Sequence, residues 1–378
     1  MPDFTYIDSA DALEKLCGRI RNEAEIALDT EFMREKTYFP RPCLIQLATS
    51  SEIACVDALT IERLEPLKEV LFDRNILKIL HSARQDLEVF FHIFVGIPAP
   101  IFDTQIAASL CGFGNQTGYA TIVSELLGKQ VDKTHTRTDW AKRPLSESAL
   151  AYAADDVRYL REIRELLCAR LAKQNRLAWL DPEFAVLEDA RNYEIDPTSV
   201  WRKVRGAKRV KPAGVAALIA LAGWREQAAS AQDKPRQWII KDDALVSLAQ
   251  RLPKNKKELQ EIRGIPEEQE DKLLEIIGAA PRIPPAGMEF TEPPRLTPEQ
   301  EATVDMLMAA VKLRAGEQNI SAANLATRKD LEKLIRGDRR IEPLTGWRKA
   351  AIGDTLIAIL DGEINLLIEN NKPTLKQN

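Results

Sequence analysis

The stretch Ile26-Ala27-Leu28-Asp29-Thr30-Glu31-Phe32 closes an apolar run with two carboxylates spaced i, i+2. Alternate residues of a strand point to the same side, so an extended segment presents Asp29 and Glu31 together. Like charges at that separation repel, and a divalent cation offsets them. Taken alone the pair also fits an acidic strand end facing water, so the residues downstream have to decide.

Two later segments supply further acids in suitable places. The β-like run 76–80 leads into His81-Ser82-Ala83-Arg84-Gln85-Asp86-Leu87-Glu88, a strand-to-helix junction with Asp86 in the first turns of the helix. Residues 146–173 carry a helix pattern. Ser146 caps it, Glu147 lies just inside, and Leu150, Ala153, Val157, Leu160, Ile163 and Leu167 form an apolar stripe. Tyr152 and Asp156 are i, i+4 and share a face beside that stripe. Asp155 points about a quarter turn away, which makes Asp156 the candidate.

Asp29-x-Glu31, Asp86 in His-x4-Asp-Leu-Glu, and Tyr152-x3-Asp156 together resemble the three exonuclease motifs of the DEDD superfamily, tyrosine subclass. Thr37-Tyr38-Phe39-Pro40, Asp103-Thr104-Gln105 and Asp139-Trp140-x-x-Arg143-Pro144-Leu145 resemble the ribonuclease D family in particular. The resemblance runs through roughly the first 190 residues and continues in the C-terminal half. The histidine subclass would place its base five residues before the last Asp, where this chain has Ala151.

Phosphodiester cleavage needs an activated water, a stabilised phosphorane-like transition state and a neutralised leaving oxygen, which two hard cations roughly 3.5–4 Å apart supply. Mg²⁺ takes oxygen ligands and keeps waters, so a few carboxylates plus substrate phosphate suit it, and Mn²⁺ is the other candidate. No H-E-x-x-H or C-x-x-C offers a zinc site. The resemblance implies one ion among Asp29, Glu31 and Asp156. It implies a second mainly on Asp29 and the phosphate, with Asp86 reached directly or through water. Tyr152 would orient the attacking water or help deprotonate it, and its ordinary pKa near ~10 favours orientation.

Five scattered cysteines, all in the first half of the chain, make no disulfide framework. The N-terminal residues lack a charged-then-apolar signal pattern, and no apolar run approaches the ~20 residues of a membrane span. The expectation is a cytoplasmic protein, monomeric, with no membrane association and no obligate protein partner. A net charge of −4 runs against wholesale nucleic-acid binding. Local clusters nevertheless exist: Arg202, Lys203, Arg205, Lys208, Arg209 and Lys211 with no acid among them, then Lys254, Lys256 and Lys257. These are either solvated surface or phosphate contacts, and in the second case binding weakens steeply with salt.

The first half alternates strand-like and helix-like segments. Runs 25–32, 42–49 and 52–57 read as an opening antiparallel meander, and strands near 76–80 and 100–103 alternate with helices 61–72, 83–94, 104–112 and 118–127. This is an α/β arrangement with a mixed sheet flanked by helices, which the resemblance sharpens to a ribonuclease-H-like exonuclease fold. Asp103, at another strand–helix junction, reads as a helix N-cap. Phe32 and Met33 either form an apolar wedge for a terminal base or pack in the core.

Around 181–211 the pattern loosens, and no strand pattern recurs beyond it. Two helical blocks, 212–280 and 297–370, flank a proline-rich stretch, 281–298, and look like divergent copies at a period of about 80. Ile240 and Leu245 match Ile320 and Leu325 in that register. The first block resembles the HRDC domain, and the second is degenerate. Trp224 and Trp347 read as core anchors. The expected domains are an exonuclease domain at 1–195, a basic linker at 196–210, an HRDC domain at 211–288 and a second, HRDC-like helical domain at 289–378.

The reading that follows is a metal-dependent 3′→5′ exoribonuclease releasing 5′-mononucleotides. By resemblance its partners are RNAs with a free 3′ end, tRNA precursors and other small structured RNAs included. A DNA 3′→5′ exonuclease of the same superfamily and an inactive RNA-binding scaffold are the alternatives. A helicase is set aside because no G-x-x-x-x-G-K-[ST] loop occurs.

Overall fold

A computed structural model describes residues 3–132, 138–281 and 294–378. The chain divides into two compact units. The first comprises Met1–Glu31, Pro42–Asn192 and Pro294–Asn378, and the second Phe32–Arg41 and Tyr193–Pro293.

The first unit is built on β1 (Thr5–Ile7), α1 (Ala10–Ile20), β2 (Glu25–Met33), β3 (Arg41–Ala48), β4 (Ile53–Asp57), α2 (Glu65–Leu71), β5 (Leu77–Leu80), α3 (Arg84–Phe94), β6 (Ile101–Asp103) and α4 (Thr104–Cys111). Helices α5 (Tyr119–Leu127), α6 (Glu147–Arg158), α7 (Leu160–Lys173) and α8 (Leu180–Glu188) follow. The six strands lie in the order β1-β4-β3-β2-β5-β6. Strand β4 runs antiparallel to β3 and parallel to β1, while β5 runs parallel to both β2 and β6. The expected mixed sheet is therefore present, and β1, too short to show a pattern, extends its edge.

Burial of Ile26, Ala27 and Leu28 fixes β2 at the centre of the sheet. The parallel set β2-β5-β6 sends α3 and α4 out from the C-terminal ends of β5 and β6. Asp103 caps α4 by accepting the N–H groups of Gln105 and Ile106, and it also takes those of Ser82 and Ala83 ahead of α3. The N-cap reading of Asp103 holds, with one carboxylate fastening two helix starts.

The single helix expected over 146–173 is two. Ser146 accepts the Ala149 N–H as the cap of α6, but the helix ends at Tyr159 (φ −107°, ψ −1°), where the ladder of backbone hydrogen bonds is interrupted before α7 begins. The phenol of Tyr119 accounts for the break: it accepts the Tyr159 N–H at 3.1 Å and donates to the Asp155 carbonyl at 2.8 Å. The apolar stripe nonetheless continues across both helices, and all six of its residues are buried.

Three expectations about the C-terminal half are corrected. The reach 196–210 is not a linker: it folds into 3₁₀ turns at Val200–Lys203 and Ala207–Arg209. Val200, Trp201, Val204, Ala207 and Val210 enter the same core as the helices Pro212–Ala231 and Asp242–Arg251. Second, the structural repeat has a spacing of 86 rather than about 80. Helices starting at Pro212, Arg236 and Asp242 recur at Pro298, Ala322 and Arg328. Ile240 therefore matches Ala326, both extended at φ near −160° after a short helix, and Leu245 matches Leu331. Third, strands do recur. Ile364–Glu369 pairs antiparallel with Lys372–Gln377 across Asn370 and Asn371, both with positive φ as a tight primed turn requires.

The last 85 residues group with the rest of the first unit. Trp347 stacks on Trp179 with ring centroids 4.2 Å apart, and Glu183 accepts from the Trp347 indole and the Arg348 guanidinium. Asn324 donates to the Ser109 carbonyl. A Cβ at Gly112 (φ +97°) would lie 2.4 Å from the Asn319 carbonyl oxygen, so that close approach requires glycine. Trp347 is thus a packing anchor, as is Trp224, which packs against the core of the second unit. The 288/289 boundary and most of the proline-rich stretch lie outside the described residues.

Candidate active site

Asp29 and Glu31 occupy the second half of β2, Asp86 the first turn of α3, and Tyr152 and Asp156 one face of α6. Carboxylate oxygens of Asp29, Glu31 and Asp156 all lie within 4.8 Å of one another. Asp86, 6% exposed, is pinned from between the first two acids: its Oδ1 accepts from the Thr30 N–H at 3.1 Å and the Thr30 hydroxyl at 2.6 Å. Asp155 turns away and pairs with Arg158 at 2.6 Å. All four acids named from the sequence therefore converge, and the helical period distinguishes Asp156 from its neighbour.

The cluster is electrostatically strained in the manner of a cation site. Burial raises the pKa of Asp29 well above the ordinary range, and the charges of Asp86, Asp156 and Glu31 add to that rise. Glu31 is pushed up to about 8 by burial and by Asp156 and Asp86. Asp156 rises to about 7 through burial, Asp155 and Asp86. Asp86 also reaches about 7, chiefly through burial, although its bonds to Thr30 pull the other way. Among the described residues the cluster holds hard oxygen donors only, the set that Mg²⁺ or Mn²⁺ takes.

Tyr152 stands beside the acids with its ring tilted against buried Trp140, centroids 6.3 Å apart. Burial first, then the charges of Asp156, Glu31 and Asp29, raise its pKa above the ordinary tyrosine value. The phenol therefore keeps its proton, which leaves it able to donate a hydrogen bond. Trp140 is placed by Arg143, whose guanidinium grips Asp57 at 2.5 and 2.7 Å and donates to the Trp140 carbonyl at 2.7 Å. Sequence reasoning missed the supporting roles of Thr30 and Tyr119. Thr30 had a signal, as the residue between two acids facing the opposite way; Tyr119 had none.

Residues 4–172 match the family model of 3′-5′ exonuclease domains, and residues 216–280 match that of HRDC domains. Fold and site together define a 3′→5′ exonuclease carrying an HRDC domain. The ribonuclease D of Acidiphilium cryptum is 39% identical over 97% of this chain and 95% of its own length. That of Bartonella henselae is 38% identical over 97% and 92%. The crystal structure of Escherichia coli RNase D, an exoribonuclease involved in structured RNA processing, matches with a TM-score of 0.81 at 31% identity. That match covers 95% of this chain and 99% of the other. The chain belongs to the ribonuclease D family and is a 3′→5′ exoribonuclease. DEDD exonucleases depend on divalent metal, and the carboxylate cluster is in place for it. Among the described residues no helix is long and apolar enough to cross a membrane.

Proposed function

We propose that Asp29, Glu31, Asp86 and Asp156 hold two divalent cations, Mg²⁺ or Mn²⁺, and that the chain trims the 3′ ends of precursor tRNAs and other small structured RNAs. The convergence of four acids from three separate segments is the observation that carries this reading. When bound, the cations neutralise the acids and stabilise the charge that builds on the scissile phosphate and on the leaving 3′ oxygen. Asp29 and Glu31, on one edge of a central strand, and Asp156, on a packed helix, provide a rigid donor set. Asp86, anchored by Thr30, completes it from behind. Tyr152 donates a hydrogen bond that orients the attacking water in line with the bond that breaks. The product is a 5′-mononucleotide. Five free thiols, four of them buried, support a reducing, cytoplasmic setting.

The test is a 3′-labelled precursor tRNA and its DNA counterpart, incubated with Mg²⁺ or with EDTA. Mononucleotide release from the RNA that stops in EDTA supports the proposal. Release from DNA in preference would move the chain to a DNA exonuclease. Asp29→Asn should lower the rate by at least about a hundredfold while the protein remains folded, and a variant of near-normal rate removes Asp29 from the site.

A further inference from the structure

In an unbroken α-helix the Tyr159 N–H would donate to the Asp155 carbonyl four residues back. Where α6 gives way to α7, the phenol of Tyr119 stands between those two groups instead. It accepts the N–H at 3.1 Å and donates to the carbonyl at 2.8 Å. A side chain inserted into the helical ladder in this way bends a helix at a defined place. Tyr119 is itself held. It opens α5, and the Thr117 carbonyl two residues earlier accepts from His81 Nε2 at 3.0 Å and from Gln105 Nε2 at 3.2 Å. The His81 ring packs against that of Tyr119 with centroids 5.8 Å apart, and its Nδ1 lies 2.9 Å from the hydroxyl of buried Thr104. His81 directly follows β5, and Thr104 and Gln105 begin α4, so the phenol is tied back to the sheet. Every group in this series of contacts lies in the first unit, as do the four acids.

The two backbone groups that the phenol grips flank Asp156: Asp155 immediately precedes it, and Tyr159 ends the helix three residues on. We propose that Tyr119 is a positioning residue for the cation site: its hydroxyl, wedged between the Asp155 carbonyl and the Tyr159 N–H, sets the end of α6 and with it the aim of the Asp156 carboxylate toward Asp29 and Glu31. This rests on the metal-site reading above. Tyr119 acts through the backbone, by way of main-chain groups beside Asp156. Without the hydroxyl, the carbonyl and the N–H that it separates can bond to each other, which runs α6 on into α7 and turns Asp156 on its last turn. The site is sensitive to such a turn. Oxygens of Asp29, Glu31 and Asp156 lie within 4.8 Å of one another. Mg²⁺ requires oxygens at about 2.0–2.1 Å in a near-octahedral array, whereas Ca²⁺ accepts about 2.3–2.6 Å and irregular geometry. A shifted Asp156 therefore weakens Mg²⁺ more than Ca²⁺. Reactions that depend on oriented groups lose about a hundredfold for a misplacement of about 1 Å, so a smaller shift still registers in turnover.

The experiment uses the full-length chain with Tyr119→Phe, with Trp347→Phe as a control for lost stability and Asp29→Asn as a control for the site. Two sets of quantities are read: kcat and KM on a short oligoribonucleotide, and the affinities for Mg²⁺ and Ca²⁺ by calorimetric titration without RNA. Tyr119→Phe should lower kcat about tenfold and leave KM within about twofold. It should weaken Mg²⁺ binding about fivefold and Ca²⁺ binding by less than about twofold. Gln105→Ala removes one of the two donors to the Thr117 carbonyl and should move kcat and Mg²⁺ affinity the same way by about two- to threefold. It is read in place of Tyr119→Phe should that variant fail to fold. Trp347→Phe should leave both quantities at the wild-type level. Wild-type kcat and Mg²⁺ affinity in Tyr119→Phe, or in Gln105→Ala where that is read, beside an inactive Asp29→Asn, overturn the positioning role alone. Losses in Trp347→Phe equal to those in Tyr119→Phe trace the effect to instability and overturn it as well. An active Asp29→Asn with wild-type Mg²⁺ affinity overturns the metal site and the positioning role with it.

Discussion

Replacing Asp156 by Asn should make the metal-free protein more stable even as it abolishes turnover. The folded-state pKa of Asp156 is about 7 against an ordinary 3.8, so the folded chain holds that proton more tightly than the unfolded chain. Below about 3.8 both states are protonated and nothing is lost. Between there and about 7 stability falls as pH rises, and above about 7 the full penalty is in place. At about 1.4 kcal/mol per pH unit the penalty reaches at most about 4 kcal/mol at pH 8. With water reaching the half-buried cluster, about 2 kcal/mol is the expected gain on neutralisation. Urea unfolding of both proteins in EDTA at pH 8 and pH 5 measures it, and the gain should shrink well below its pH 8 value at pH 5. Saturating Mg²⁺ should reverse the order. Cations that bind only the folded wild type add about 2.7 kcal/mol at a hundred times Kd. A variant destabilised by the same amount at both pH values in EDTA would refute the electrostatic account of the cluster.

Other outcomes follow from the supporting contacts. Tyr152→Phe should lower kcat by roughly ten- to a hundredfold with Mn²⁺ affinity unchanged if, as proposed, the phenol orients the water and holds no cation; wild-type turnover would remove its orienting role. Asp103→Ala strands four N–H groups at the starts of α3 and α4 and should cost about 3 kcal/mol in urea unfolding, a loss under about 1 kcal/mol being the contrary result. Trp347→Ala should cost about 3 kcal/mol, whereas Trp347→Phe, which keeps the ring on Trp179 but loses the bond to Glu183, should cost about 1 kcal/mol. Equal losses would mean that the indole N–H, and not the stack, makes the joint.

The gathering of the acids was legible in the sequence because its geometry is local and periodic. Two-residue spacing in β2 places Asp29 beside Glu31, and the helical period selects Asp156 over Asp155, which pairs with Arg158 instead. What escaped is what depends on distant partners. The break at Tyr159 is set by Tyr119, forty residues earlier. The reach 196–210 reads as a linker because its basic residues mask Val200, Trp201, Val204, Ala207 and Val210, which the structure buries through short 3₁₀ turns too brief to show a sustained period. The C-terminal hairpin did carry a signal, Asn370-Asn371 between alternating residues, which a helical reading of the block overrode. The repeat was found but misaligned by six residues, because single apolar matches fix a register less well than helix starts do. Nothing in Phe32–Arg41 announces that it belongs with helices two hundred residues away.

A crystal structure of the protein soaked with Mn²⁺ and a short RNA, with the metal located by anomalous scattering, tests the central claim most directly. Two anomalous peaks bounded by oxygens of Asp29, Glu31, Asp86 and Asp156, with the terminal phosphate against them, are the result this account predicts. Peaks elsewhere, or acids that stay protonated and bonded to one another at saturating Mn²⁺, would contradict it.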